Sequence, residues 1–302
     1  MRAHSANAPE RLGPVMTARA WKEFYAAERA QLGAAGLERL LDRAPEVALE
    51  PRGALVFPHT RLESSGELVA AVALACVRAR VPEVLALGVL HGAREADAAL
   101  VARARAGEPE ACAQLRRVHV PGDPGEASEP QDHTSEEFSL DGFAALLELA
   151  ARREGRAPPR LRRRFPFLVG ERPADLPGLD ELRALRARGA ALVATADPIH
   201  HGRGYGTPEA ACLEPASETT RALARAKVAR GFELLAARDH AAFLEHCARE
   251  KSDFRDPGPV LAELLGEAPW RARVVALALV DYARALEAPP PTWVAGALVA
   301  IA

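Results

Sequence analysis

The sequence predicts an α/β fold: a single domain built on a central, mostly parallel or mixed sheet with helices on its faces. Three observations predict it. GALVF (53–57), GELVAAVALACVRAR (66–80) and EVLALGVL (83–90) follow one another as apolar run, helical stretch and apolar run, the order and length of a βαβ unit with a right-handed crossover. Hydrophobic residues make up 49% of the 302 residues, enough for a sizeable core. Several histidines stand just after the predicted strands, where an open parallel sheet holds its ligands.

The elements follow in order. Residues 1–45 read as a loose leader followed by helices that pack on the main domain, and 46–302 as that domain. Within the first part, 17–43 has helical periodicity broken near Gly33 and Gly36. After the βαβ unit, 93–117 is expected to be helical and 119–132 to be a turn-rich loop. Residues 135–153 read as a helix with acidic residues in its first turn, where the dipole favours them. GRAPPRLRRR (155–164) reads as a connector whose arginines face solvent, and FPFLVG (165–170) as a strand. A short helix (178–189) and a strand, ALVATA (191–196), come next. One or two helices fill 217–249, and Pro257 and Gly266 bracket a further helix. Residues 273–283 and 292–302 read best as closing strands, although periodicity alone also allows a buried helix for the first. The apolar final strand, if it lies at the sheet edge, could pair two copies into a homodimer.

Composition excludes several function classes. Lys+Arg is 39 and Asp+Glu is 41, a formal net charge of −2, which argues against nucleic-acid binding and against an acidic disordered tail. No stretch has the apolar length of a membrane span, and residues 1–15 lack the apolar core of a signal peptide. Cys76, Cys112, Cys212 and Cys247 form no CxxC pair, which suits a reducing compartment. A cytoplasmic protein with no nucleic-acid or membrane partner is therefore expected.

The histidines carry the functional signal. His59 stands two residues past GALVF, His91 directly follows EVLALGVL, and His200 and His201 lie a few residues past ALVATA. Imidazoles from three strand ends converging on one rim make a metal site or an acid/base site. A single histidine at a strand end is more often a loop hydrogen-bonder, so the weight lies in the three together. His119, His240 and His246 read as structural or solvated. Two histidines and one carboxylate would leave positions open on an iron ion for substrate and O₂. Asp197, Asp253 and Asp256 are the carboxylates in rim loops, while Asp132, Glu136 and Glu137 flank His133 and could support ligands from outside.

These segments resemble the Memo family, also called protein B of the AmmeMemoRadiSam system. FPHTRLESSG (57–66) resembles its "APHAGY…SG", LGVLHG (87–92) its "LGPSHH", and DHTSEEF (132–138) its "EHSIE.H". FPFLVG (165–170) resembles "PVLVG", ATADPIHHG (194–202) resembles "SSDFCHWG", and WVAGALVAIA (293–302) resembles "SYAAGAL". The six segments keep the family's order over about residues 50–302. The resemblance implies a fold shared with the class III extradiol dioxygenases and a metal site associated with iron or copper. By position it implies His59 and His91 as metal ligands, His200 as a ligand or acid/base group, and Asp197 as its motif's aspartate.

Three departures stand out. The family's cysteine ligand in "CGRHP" is matched, anchoring on Pro257, by Asp253, or by Ser252 if the alignment slips by one. A carboxylate there moves the site toward a 2-His-1-carboxylate set and Fe(II), with copper or zinc as alternatives. Gly92 replaces a histidine, and Thr60-Arg61-Leu62 replaces "AGY", which offers Arg61 as a grip on an anionic substrate.

The expectation is a metal-dependent redox enzyme acting on a small substrate with O₂. His59, His91 and Asp253 would hold Fe(II), and His200 would be the acid/base group with Asp197 or His201 orienting it. His133 would contribute to catalysis, and Arg61, His201 and Glu136 would meet the substrate. A non-catalytic metal- or peptide-binding protein is the alternative, and zinc-assisted hydrolysis is a third possibility.

Overall fold

The structure is a computed structural model, and it describes residues 16–91, 98–106, 108–111, 137–168, 172–176 and 178–302. It is an α/β architecture in which a mixed seven-stranded sheet is flanked by helices. The strands are β1 (Ala54–Phe57), β2 (Glu83–Leu87), β3 (Arg160–Arg164), β4 (Ala191–Thr195), β5 (Ile199–Gly202), β6 (Ala272–Asp281) and β7 (Thr292–Ile301). The helices are α1 (Ala18–Arg43), α2 (Leu62–Arg78), α3 (Ala98–Arg105), α4 (Asp141–Arg153), α5 (Leu179–Ala187), α6 (Glu218–Ala236), α7 (His240–Glu250) and α8 (Pro257–Leu265). No helix among the described residues is long and apolar enough to cross a membrane.

The apolar runs become strands because both of their faces are covered. Leu55 and Phe57 of β1, Val84 and Ala86 of β2, and Ala191 and Val193 of β4 enter one core with α1, α2 and α4. Their alternate neighbours Val56, Leu85, Leu87, Leu192 and Ala194 enter the opposite core with α5, α6, α7 and α8. Continuous apolarity is therefore two period-2 patterns superposed.

Sheet order places the site. β1, β2, β3 and β4 are mutually parallel in the order β3-β2-β4-β1, so their carboxyl ends share one rim. β7 runs antiparallel to β1 through Val299–Ile301 and antiparallel to β5 through Thr292–Ala295. β5 therefore continues the line of β1 beyond its carboxyl end. The chain leaves β1 at that junction, and Gly296 of β7 permits it: a Cβ there would lie 2.8 Å from Pro58 Cβ.

Several expectations need correction. The third strand is Arg160–Arg164, not 165–170, and it is not a solvated connector. It forms a sheet edge beside β2, where Arg162 pairs with Glu83 at 2.8 Å and buried Arg164 reaches Glu181 at 2.6 Å. Charged residues are tolerated because an edge strand keeps part of its surface in water. α4 begins at Asp141, later than 135, because Glu137 uses its carboxylate on the backbone N–H groups of Phe138 and Ser139. The final strand β7 is not an edge: β1 and β5 line one side of it and β6 the other, so the stated route to a homodimer is closed. β6 is an edge strand, and Arg221 and Arg225 of α6 donate to its Leu277 and Val274 carbonyls. His246 is buried on α7, with Nδ1 against Arg249.

Glu28 of α1 is buried and accepts from Leu62 N at 2.9 Å, Glu63 N at 3.4 Å and Arg61 Nε at 3.2 Å. It caps α2, which has no side-chain cap of its own, and so fixes the loop from β1. Glu28→Ala leaves those donors without their partner and is expected to cost about 2–3 kcal/mol in denaturant unfolding, with Glu28→Gln recovering part of it. Glu250 provides a pH test. Burial would raise its carboxyl, but Lys227 at 2.7 Å and Arg249 at 3.1 Å hold it below the usual range. Its contribution is present above the unfolded-state value of about 4.3 and is lost as pH falls through the lower folded-state value. Glu250→Gln is expected to flatten the acid limb of a stability–pH profile.

Candidate metal centre

Four loops at the shared rim bring donors together. The turn after β1 carries His59, and the segment after β2 carries His91. The turn after β4 carries Asp197, with His200 on β5. The link from α7 to α8 carries Asp253. Two overlapping triads result, His59–His91–Asp253 and Asp197–His200–Asp253, with donor atoms in each within 4.8 Å of one another.

The loops are locked to one another by the same side chains. Asp197 Oδ1 accepts from His59 N at 3.2 Å, and Asp253 Oδ1 accepts from Asp197 N at 2.7 Å. Glu137 Oε2 accepts from His91 N at 2.5 Å. Lys251 ends α7 in the left-handed region at φ 55°, and its carbonyl meets His200 Nδ1 at 2.8 Å.

Each imidazole is oriented through Nδ1. Thr195 donates its single hydroxyl proton to Phe57 O at 3.0 Å, so at 3.2 Å it accepts from His59 Nδ1–H. Glu137 Oε1 accepts from His91 Nδ1–H at 3.0 Å, and the Lys251 carbonyl accepts from His200. These contacts place the proton of each neutral ring on Nδ1 and leave Nε2 as the lone-pair atom, the arrangement by which outer residues prepare metal ligands.

The electrostatics match. His59, Asp197 and Asp253 side chains are 5%, 4% and 7% exposed, with His59 Nε2 3.2 Å from Asp253 Oδ2 and 3.7 Å from Asp197 Oδ2. Burial opposes charge on His59, but the two carboxylates outweigh it and raise it to about 9. Burial and the nearby Asp253 charge raise Asp197, whereas Asp253 is held low against burial by the neighbouring histidines. Burial lowers His200. Asp253 Oδ2 is buried, and the polar group that faces it is His59 Nε2 at 3.2 Å. A buried carboxylate oxygen beside prepared imidazoles fits a cation.

No family model matches the chain, and no curated protein matches it.

The geometry separates the other candidates. His201 is turned to the opposite face from His200, as neighbours on a strand must be. It stacks near Trp293 at 4.7 Å, and its Nε2 accepts from Leu213 N at 2.9 Å, so it supports the fold and does not face the cluster. Arg61 pairs with Glu28 and Glu63 and so does not supply a free grip for an anion. Asp256 accepts from Leu168 N at 3.2 Å, and Ser252 from Phe254 N at 3.2 Å. Cys247 is buried in α7. His133 and Glu136 lie outside the described residues.

Sequence reasoning missed Thr195, whose only signal is a hydroxyl at the end of an apolar strand. It also missed the tyrosine wall. All three tyrosines of the chain cluster here: Tyr25 and Tyr282 share a 2.7 Å hydroxyl contact, Tyr282 accepts from Arg61 N, and Tyr205 lies 4.9 Å from the His200 ring. Burial raises all three phenols, so they stay protonated. A cavity of about 20 Å³ behind His59, lined by Tyr25, Thr60 and Phe138 among others, has room for about one water. A metal ion held by this cluster is expected to bind about 10- to 100-fold more weakly in Thr195→Val and Glu137→Gln, with the fold retained, as read by chelator competition.

Proposed function

We propose that this protein is a metal-dependent redox enzyme of the Memo and class III extradiol dioxygenase type, which acts on a small substrate with O₂. His59 Nε2, His91 Nε2 and Asp253 Oδ2 would hold the metal, Fe(II) by the 2-His-1-carboxylate character of the set. The observation that carries the reading is the buried Asp253 Oδ2, whose polar neighbour is His59 Nε2 at 3.2 Å, in a cluster with two imidazoles whose Nδ1 atoms are already engaged. Two of the segments that resemble the Memo family contribute His59 and His91, Asp253 stands where that family has a cysteine, and the mixed α/β sheet is consistent with the extradiol-type fold. When bound, the iron would supply electrons and open positions for oxygen chemistry.

The chain's own residues would do the rest. His200 Nε2, with Nδ1 tied to the Lys251 carbonyl, would accept a proton from a substrate hydroxyl and return it to product. Asp197 would hold the His59 loop in place through its backbone contact. The tyrosine wall offers neutral phenol donors close to His200 through Tyr205. Phe138 stacks on His91 at 4.5 Å and restricts its ring.

Anaerobic loading of the full chain with Fe(II), followed by metal analysis, tests the ligand set. One tightly held iron is expected, with at least a tenfold loss of affinity in His59→Ala, His91→Ala and Asp253→Ala. Full iron retention by these variants rejects the assignment. O₂ consumption with catechols or other small electron-rich aromatics supports the enzyme, whereas tight metal binding without turnover favours a metal- or peptide-binding protein. Preference for zinc with hydrolytic turnover favours hydrolysis instead.

A further inference from the structure

The same cluster holds more donors than one three-residue site uses. Asp197 and His200 are outside the His59–His91–Asp253 triad, and with Asp253 they make a triad of their own. His200 is prepared for a cation as His59 and His91 are, with Nδ1 engaged by a carbonyl and Nε2 left as acceptor. Asp197 uses Oδ1 on the His59 backbone N–H, while Oδ2 faces the cluster 3.7 Å from His59 Nε2. The Asp253 side chain belongs to both triads, is 7% exposed, and turns its Oδ2 to the cluster, 3.2 Å from His59 Nε2.

We propose that Asp197, His200 and Asp253 form a second, weaker cation site that shares Asp253 with the first and takes a divalent ion of the Zn(II) or Mn(II) kind. It rests on the reading of His59, His91 and Asp253 as a metal site. One imidazole and two carboxylates suit such ions, and a bridging carboxylate sets two ions about 3.5–4 Å apart. The affinity order follows from charge. Asp197 and Asp253 balance one dication, and with Glu137 they supply three negative charges against the four positive charges of two. The second ion therefore enters a site that the first has largely neutralised. A cation on His200 Nε2 also removes the lone pair that would take a proton, so occupancy of this position silences the acid/base group.

Titration of the metal-free full chain with Zn(II) against a chelator, with metal analysis of the loaded protein, tests this. Wild type is expected to bind two equivalents, the second at least tenfold weaker. Asp197→Asn, which keeps an acceptor for His59 N, and His200→Asn are each expected to lose the weaker equivalent and keep the tighter one. Mn(II)-loaded wild type is expected to show an exchange-coupled two-manganese electron paramagnetic resonance signal that both variants lack. Saturation of folded wild type at one equivalent overturns the second site and leaves the first standing. Retention of two equivalents by both variants overturns it as well. No bound equivalent in folded wild type overturns both sites together.

Discussion

Two buried carboxylates side by side govern this rim. Removing Asp197 and Asp253 from water costs several kcal/mol for each ionised group, and their mutual repulsion adds to it. The chain offsets this with backbone donors: His59 N meets Asp197, and Asp197 N meets Asp253. Each contact joins two loops that are far apart in sequence, so the carboxylates position the loops as firmly as the loops position them. One oxygen of Asp253 is left over, and it faces the imidazole of His59. A positive charge is needed there, whether a proton on His59 or a metal ion.

The sheet makes that meeting possible. Parallel pairing of β4 with both β1 and β2 puts three carboxyl ends on one rim within neighbouring strands. The second device is β7, whose two halves pair with β1 and β5 in succession. His200 thus enters from beyond the end of β1, close to His59, although 141 positions separate them in the chain. Alternation on β5 then assigns opposite tasks to adjacent histidines. His200 faces the cluster, and His201 joins Trp293 in holding Leu213.

The outer contacts give the site its chemical character. Thr195 and Glu137 decide which nitrogen of His59 and His91 is free. Glu28 and the tyrosines bring α1, from the N-terminal part of the chain, to the wall of the site through Leu62 N and Tyr282. The helix that precedes the first strand is thereby part of the local frame of the centre.

The sequence by itself determined the alternation of strands and helices, the apolar character of β1, β2, β4 and β7, and the placing of His59 and His91 just after strands. These are local consequences: an apolar run of four to six residues between turns buries as a strand, and the residues after it emerge at its carboxyl end. Tertiary structure alone decided that β3 is an arginine-rich edge, because its pairing with Glu83 and Glu181 involves residues distant in sequence. It alone separated His200 from His201, gave Arg61 to Glu28, and set Asp197 and Asp253 within one hydrogen bond. Those outcomes depend on register and on desolvated charge, which are properties of neighbours in space that spacing along a chain does not encode.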